Sequence, residues 1–146
     1  MKRNTRILIL DDDRDVCRLY FAALAREGRE ILTASSAHSG LHSAALYAPD
    51  ILLVDIGLRS GPDGFSFLEK WAAQYNKGGR VVMISGRDDP ESMERARWLG
   101  VAGYLVKPVS PQALESVVAS LESELVVGER MDSVEDAEGG GIRKIA

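Results

Sequence analysis

The chain has 146 residues and a mass of 15.9 kDa, the size of a single domain. Hydrophobic residues make up 45% and charged residues 27%, which excludes a disordered chain, and a net charge of −4 offers no basic field for nucleic acid or an anionic membrane. The single cysteine, Cys17, excludes an internal disulfide framework, and no apolar run approaches the ~20 residues of a transmembrane helix.

The elements follow in chain order. Residues 7–10, ILIL, read as a first strand; four apolar residues are too few for the core of a signal peptide, so the cytoplasm is the expected location. Val16, Leu19, Tyr20, Ala23 and Leu24 then fall at i, i+3, i+4, i+7 and i+8, one face of a helix, with Gly28 where a C-terminal cap belongs. Residues 31–34 form a weaker strand flanked by Arg29, Glu30 and Ser35, which suits a sheet edge. A helix is predicted over 39–47, with Leu41, Ala44 and Ala45 inward and Pro49 ending it. Residues 51–54 make the third strand, and Phe65, Leu68, Ala72 and Tyr75 mark a helix over about 65–75. Residues 81–84 form a fourth strand. The next helix starts clearly, with Asp89 as cap, Pro90 as first residue and Glu91 behind it. Residues 103–106 make the fifth strand. Ser110 and Pro111 repeat the capping device before Leu114, Val117, Val118 and Leu121. From residue 128 the chain reads GERMDSVEDAEGGGIRKIA, acidic and then glycine-rich, so 1–127 is the expected domain and 128–146 a flexible tail or linker stub.

Five strands alternating with five helices predict an α/β domain with a parallel sheet, because parallel neighbours need helical crossovers. The strands are uniformly apolar rather than alternating, as for a doubly wound sheet covered on both faces. In such a sheet the site lies at the carboxyl ends of the strands. There the first strand ends in Asp11, Asp12 and Asp13, the third in Asp55, the fourth in Ser85 and Gly86, and the fifth in Lys107 and Pro108.

Singly, each has a plainer reading: Asp13 as a helix cap, Asp55 or Ser85 as a turn residue, Lys107 as a solvated cation. Together they are harder to dismiss. Carboxylates about 4 Å apart repel by roughly 4 kcal/mol at an effective dielectric near 20. Lys107 supplies one positive charge, and a hard divalent cation with oxygen ligands, Mg²⁺ above all, completes the balance. Such an ion keeps waters and leaves room for a phosphoryl oxygen. His38 and His42 flank the second predicted helix and read as solvated surface; Trp71 and Trp98 read as packing or a partner surface, and Cys17 as a small packing residue.

The segments ILILDDD, ILLVD, VVMISG and GYLVKPVSPQAL, spaced 44, 30 and 22 residues apart from Asp11 to Asp55, Ser85 and Lys107, resemble the receiver domains of two-component response regulators. The likeness covers about residues 6–124. It implies a CheY-like, flavodoxin-like five-stranded sheet in the order 2-1-3-4-5, with five helices. It implies Asp55 as phosphoacceptor, Asp12 as a direct Mg²⁺ ligand with Asp11 acting largely through water, and the Gly57 backbone carbonyl as a third protein ligand. Mn²⁺ is a possible substitute. Ser85 stands where the family hydrogen-bonds the phosphoryl group, Lys107 where it pairs with that group, Pro108 where a cis proline often follows, and Tyr104 where an aromatic switches inward. Gly86 leaves space for the incoming donor, and Arg87 sits where side chains influence the lifetime of the phosphorylated state.

The implied partners are a histidine kinase or phosphotransfer protein and a downstream target or covalently linked output domain, with no direct nucleic-acid or membrane binding. The implied protein is a switch at the surface of its fourth helix, fifth strand and fifth helix, catalysing only its own phosphorylation and dephosphorylation. A phosphorylation-dependent dimer is compatible, although the fifth helix lacks the basic residues of one common dimer type. Two departures stand out: the family usually carries proline four residues after the acceptor, where this chain has Arg59, and the loop to Gly64 is one residue longer.

Three rivals share some of the pattern. A haloacid-dehalogenase-like phosphatase uses an acid after its first strand and a second two residues on, here Asp11 and Asp13, but no strand-end after Lys107 supplies its late acid pair. A receiver-like scaffold that never carries phosphate normally loses an acid or the lysine, and none is lost here. A flavodoxin-type cofactor binder needs a phosphate-cradling first loop, which DDDRD would repel without a metal.

Overall fold

The computed structural model describes residues 3–59, 61–75, 78–86, 88–130 and 143–144. Strands and helices alternate: β1 (Thr5–Leu10), α1 (Arg14–Leu24), β2 (Arg29–Ala34), α2 (Ala37–Tyr47), β3 (Ile51–Asp55), α3 (Gly64–Gln74), β4 (Arg80–Ser85), α4 (Pro90–Trp98), β5 (Gly103–Val106), α5 (Pro111–Arg130) and β6 (Arg143–Lys144). The strands are parallel and ordered β2-β1-β3-β4-β5-β6. The first five reproduce the expected order, with β2 at one edge. The two-residue β6 adds beside β5, in a stretch read as structureless because so short a pairing leaves no periodicity in the sequence. α5 also runs to Arg130, past the boundary expected at 127, while residues 131–142 of the tail lie outside the described residues.

Side chains along the central strands alternate between two buried cores. Leu8, Leu10, Leu52, Val54, Val81, Met83 and Tyr104 join residues of α2, α3 and α4; Ile7, Ile9, Ile51, Leu53, Val82, Ile84 and Leu105 join residues of α1 and α5. That two-sided burial is why the strands read as unbroken apolar runs.

The helices depart from expectation in register rather than existence. In α1, Cys17, Tyr20 and Leu24 are buried, whereas Leu19 is 62% exposed, because the stripe centres on Tyr20. Gly28 is not the cap: α1 ends at Ala25, and Gly28 takes φ +91° in the turn entering β2, a backbone region that favours glycine. α2 starts at Ala37, not Ser39, because Ser36 and Ser39 form a reciprocal capping box. Its buried face is Ala37, Gly40 and Ala44, with Ala45 exposed; a Cβ at Gly40 would lie 3.1 Å from Phe67 and 3.2 Å from Leu10. Glycine carries no apolar signal, so that close approach was invisible. In α3, Phe67 and Trp71 are buried and Ala72 is exposed. α4 begins as expected, with Asp89 accepting the Ser92 N–H and Pro90 in its first turn.

Arg29 looked like a polar flank of β2, yet its side chain is only 1% exposed. Its guanidinium donates to Glu115 at 2.9 Å, to Glu122 at 2.6 Å and to the Leu24 carbonyl at 2.9 Å, tying the sheet edge to α1 and α5. Burial pushes the Glu122 carboxyl up, but hydrogen bonds from Arg29 and Thr5 outweigh it and hold the carboxyl below its ordinary value. A depressed carboxyl contributes stability above its unfolded pKa, about 4.3, and loses it as pH falls through the lower folded value. Arg29→Ala is therefore expected to lower the unfolding free energy by about 2–3 kcal/mol in urea titrations at pH 7, because Glu122 loses the cation bonded to it and Glu115 keeps only the exposed Arg26. It should also flatten the fall in stability below about pH 4. An unchanged urea midpoint would refute the tie.

Candidate functional site

Strand register brings the site together. Leu10 pairs with Val54, so Asp11 and Asp55 follow at one level; Asp55 pairs with Ile84 and Ser85 with Val106, so Ser85 and Lys107 reach the same rim. The Lys107 N–H donates to the Ser85 carbonyl at 2.7 Å, extending the ladder one residue past the strand end. The peptide bond between Lys107 and Pro108 is cis.

One oxygen from each of Asp11, Asp12 and Asp55 lies within 4.8 Å of the others. Asp11 is 2% exposed and Asp55 6%, so these charges are held largely away from water. Lys107 Nζ donates to Asp11 Oδ2 at 3.1 Å and ion-pairs with Asp55 Oδ1 at 3.5 Å. Burial first, and then Asp11, push the Asp55 carboxyl up from its ordinary value, while Lys107 and the Gly57 N–H pull it back. Burial pulls the Lys107 ammonium down, but Asp11 and Asp55 outweigh it and hold the ammonium above its ordinary value. One ammonium facing three carboxylates leaves negative charge at the rim. The donor set is wholly oxygen, which fits a hard cation. The nearby Cys17 thiol is no competing ligand: burial, and then Asp11, push it up, and Sγ donates to the Asp11 carbonyl at 3.3 Å.

Backbone N–H groups fix all three carboxylates. Asp13 N–H donates to Asp11 Oδ1 at 2.9 Å, Gly57 N–H to Asp55 Oδ1 at 3.1 Å, and Arg59 N–H to Asp12 Oδ2 at 2.9 Å. The Arg59 contact was not foreseen, since a backbone donor leaves no trace in residue type. Gly64 was also missed as a site determinant. Its N–H donates to the Ile56 carbonyl at 3.1 Å, and a Cβ there would fall 2.8 Å from the Ile56 Cα and inside contact distance of the Asp55 carbonyl oxygen.

The other candidates divide. Ser85 is buried at the end of β4, and Tyr104 is fully buried in the α2–α3–α4 core. A Cβ at Gly86 would meet nothing within 4 Å, so the space beside it is open. Asp13 is the α1 cap, accepting from the Asp15 and Val16 N–H groups at 2.9 and 3.3 Å, so the phosphatase reading loses its second acid to a structural task. His38 and His42 are exposed on α2; Trp71 packs in the core, and Trp98 is 83% exposed. Arg87 lies outside the described residues, as does Ser60 of the loop following Arg59.

The chain matches the family described as "Response regulator receiver domain" over residues 7–119. It is 30% identical over 118 residues to the chemotaxis protein CheY of Treponema pallidum (strain Nichols), covering 80% of this chain and 81% of that one. It is 32% identical over 107 residues to the KDP operon transcriptional regulatory protein KdpE of Escherichia coli (strain K12), covering 71% of this chain but 45% of that protein. The chain thus spans about half the length of the first curated relatives it matches. Among solved structures, the CheY-like response regulator receiver domain protein from Methanospirillum hungatei JF-1 superposes with a TM-score of 0.74 at 27% identity, covering 88% of this chain and 98% of that one. With strand order, acidic rim, lysine and family match all in agreement, the chain belongs to the response regulator receiver domains of two-component systems.

Proposed function

We propose that this receiver takes a phosphoryl group from a partner histidine kinase or phosphotransfer protein onto Asp55, in the cytoplasm, and passes the signal on through its α4-β5-α5 surface. The observation that carries the reading is the convergence of Asp11, Asp12 and Asp55 oxygens within 4.8 Å, with Lys107 joined to two of them. Asp11, Asp12, Asp55 and the Gly57 carbonyl would hold Mg²⁺, or Mn²⁺ in its place, and the ion would neutralise charge on the carboxylates and on the phosphoryl oxygens. No helix among the described residues is long and apolar enough to cross a membrane.

In the transfer, an Asp55 carboxylate oxygen attacks phosphorus. A P–O bond forms as the donor's P–N bond breaks, and the departing imidazole takes up a proton. Phosphoryl transfer asks the protein mainly for alignment and charge neutralisation. The Gly57 N–H holds the Asp55 carboxylate, and Lys107 is positioned to pair with the transferred group. The open space beside Gly86 suits an approaching donor. The group adds about −1.5 to −2 charge, which draws the Ser85 hydroxyl and Lys107 toward it, shifts the loop after Ser85 and, with Tyr104, biases the output surface. Downstream lies a protein target or a linked output domain, and a phosphorylation-dependent dimer is compatible with the same surface.

Intact-mass measurement after incubation with Mg²⁺ and acetyl phosphate tests the reading. The wild-type chain is expected to gain one phosphoryl group and Asp55→Asn none. Turnover that survives Asp55→Asn but dies in Asp11→Asn would instead support a phosphatase. A wild-type chain that gains nothing from acetyl phosphate or from a phosphohistidine donor would favour a scaffold.

A further inference from the structure

The three rim carboxylates are held differently. Asp11 and Asp55 accept an N–H two residues along their own segments, at 2.9 and 3.1 Å. Asp12 accepts its N–H from Arg59, 47 residues away, in the loop between β3 and α3. Lys107 ion-pairs with Asp11 and Asp55, so the long-range backbone donor is what steadies the third acid. A charge-assisted hydrogen bond to one carboxylate oxygen sets the orientation of the other. The same bond ties down the loop that carries Gly57.

We infer that the Arg59 backbone N–H is a positioning group for the metal site, orienting the Asp12 carboxylate and the Gly57 end of its loop toward a cation shared with Asp11 and Asp55. This rests on the cation reading above. Groups that hydrogen-bond metal-ligating carboxylates set ligand geometry, and losing one typically weakens metal binding 10–100-fold. The Arg59 side chain is exposed and is not what the inference uses. A proline at this position would have no N–H to give.

The two roles separate by substitution. Arg59→Ala keeps the N–H, and Arg59→Pro removes it. Calorimetric titration of the metal-stripped full chain with Mg²⁺ is expected to give matching dissociation constants for wild type and Arg59→Ala, and binding weakened about tenfold in Arg59→Pro. Arg59→Pro binding as tightly as wild type, or more tightly, overturns the inference alone. An equal loss in Arg59→Ala does so too, by assigning the effect to the guanidinium. A wild-type chain that takes up no Mg²⁺ overturns the cation reading and this inference with it. Amide hydrogen exchange supplies a second readout that needs no proline variant. The wild-type Arg59 amide is expected to be protected without Mg²⁺ and to lose that protection in Asp12→Ala; a fast-exchanging wild-type amide overturns the inference.

Discussion

Gly64→Ala is expected to destabilise the domain by about 3–5 kcal/mol, a large fraction of the 5–15 kcal/mol typical of a whole domain. The cause is overlap with main chain. A Cβ at residue 64 would lie 2.8 Å from the Ile56 Cα and 2.9 Å from the Asp55 carbonyl carbon, and neither atom can swing aside as a long side chain could. Relief must come from moving α3 outward or moving the end of β3. Moving α3 opens the core around Phe65, Phe67, Leu68 and Trp71. Moving β3 displaces Asp55 itself, so phosphoryl uptake should fall together with the melting temperature, by about 10 °C or more at this domain size. Thermal unfolding and the acetyl phosphate assay read both effects. A Gly64→Ala protein that melts and phosphorylates like wild type would show that the entry to α3 yields easily.

Lys107→Ala carries the second large effect, and its size depends on the cation supplied. Without divalent ions, Lys107 is the ammonium joined to Asp11 and Asp55, at 3.1 and 3.5 Å. Carboxylates within 4.8 Å repel by roughly 3–4 kcal/mol per pair at an effective dielectric near 20. Removing the ammonium leaves Asp11 buried and uncompensated. The lysine side chain is itself 30% exposed, which trims the loss to about 2–3 kcal/mol in EDTA. Mg²⁺ should then stabilise the variant more than the wild type, because it replaces the missing charge as well as binding the folded state. Phosphoryl uptake should stay impaired even so, since an ion held by the acids would not replace the pairing proposed for Lys107. Equal stability of the two proteins in EDTA would break the electrostatic account of the rim.

The sequence by itself determined the architecture and the membership of the rim. Buried parallel strands are apolar throughout, so residues 7–10, 51–54 and 81–84 announced themselves, and the polar residue ending each run marked where the chain leaves the sheet. Because parallel strands all run one way, those ends share an edge, and the sequence alone gathers Asp11, Asp55, Ser85 and Lys107 there. The caps at Asp13, Asp89 and Ser110 were legible for a local reason, since a cap acts within three residues of itself. Only the tertiary structure decided what depends on backbone atoms and on contacts distant along the chain. Ala45 and Leu19 face out, and Gly40 faces in, because a helix's rotation is set by what it packs against. Arg29 is buried because Glu115 and Glu122 come from a helix more than eighty residues away. Arg59 holds Asp12 through an N–H that every residue but proline carries, and Gly64 is required by a carbonyl nine residues back. Residue type records what a side chain prefers, whereas these outcomes follow from where the folded chain brings its main-chain atoms.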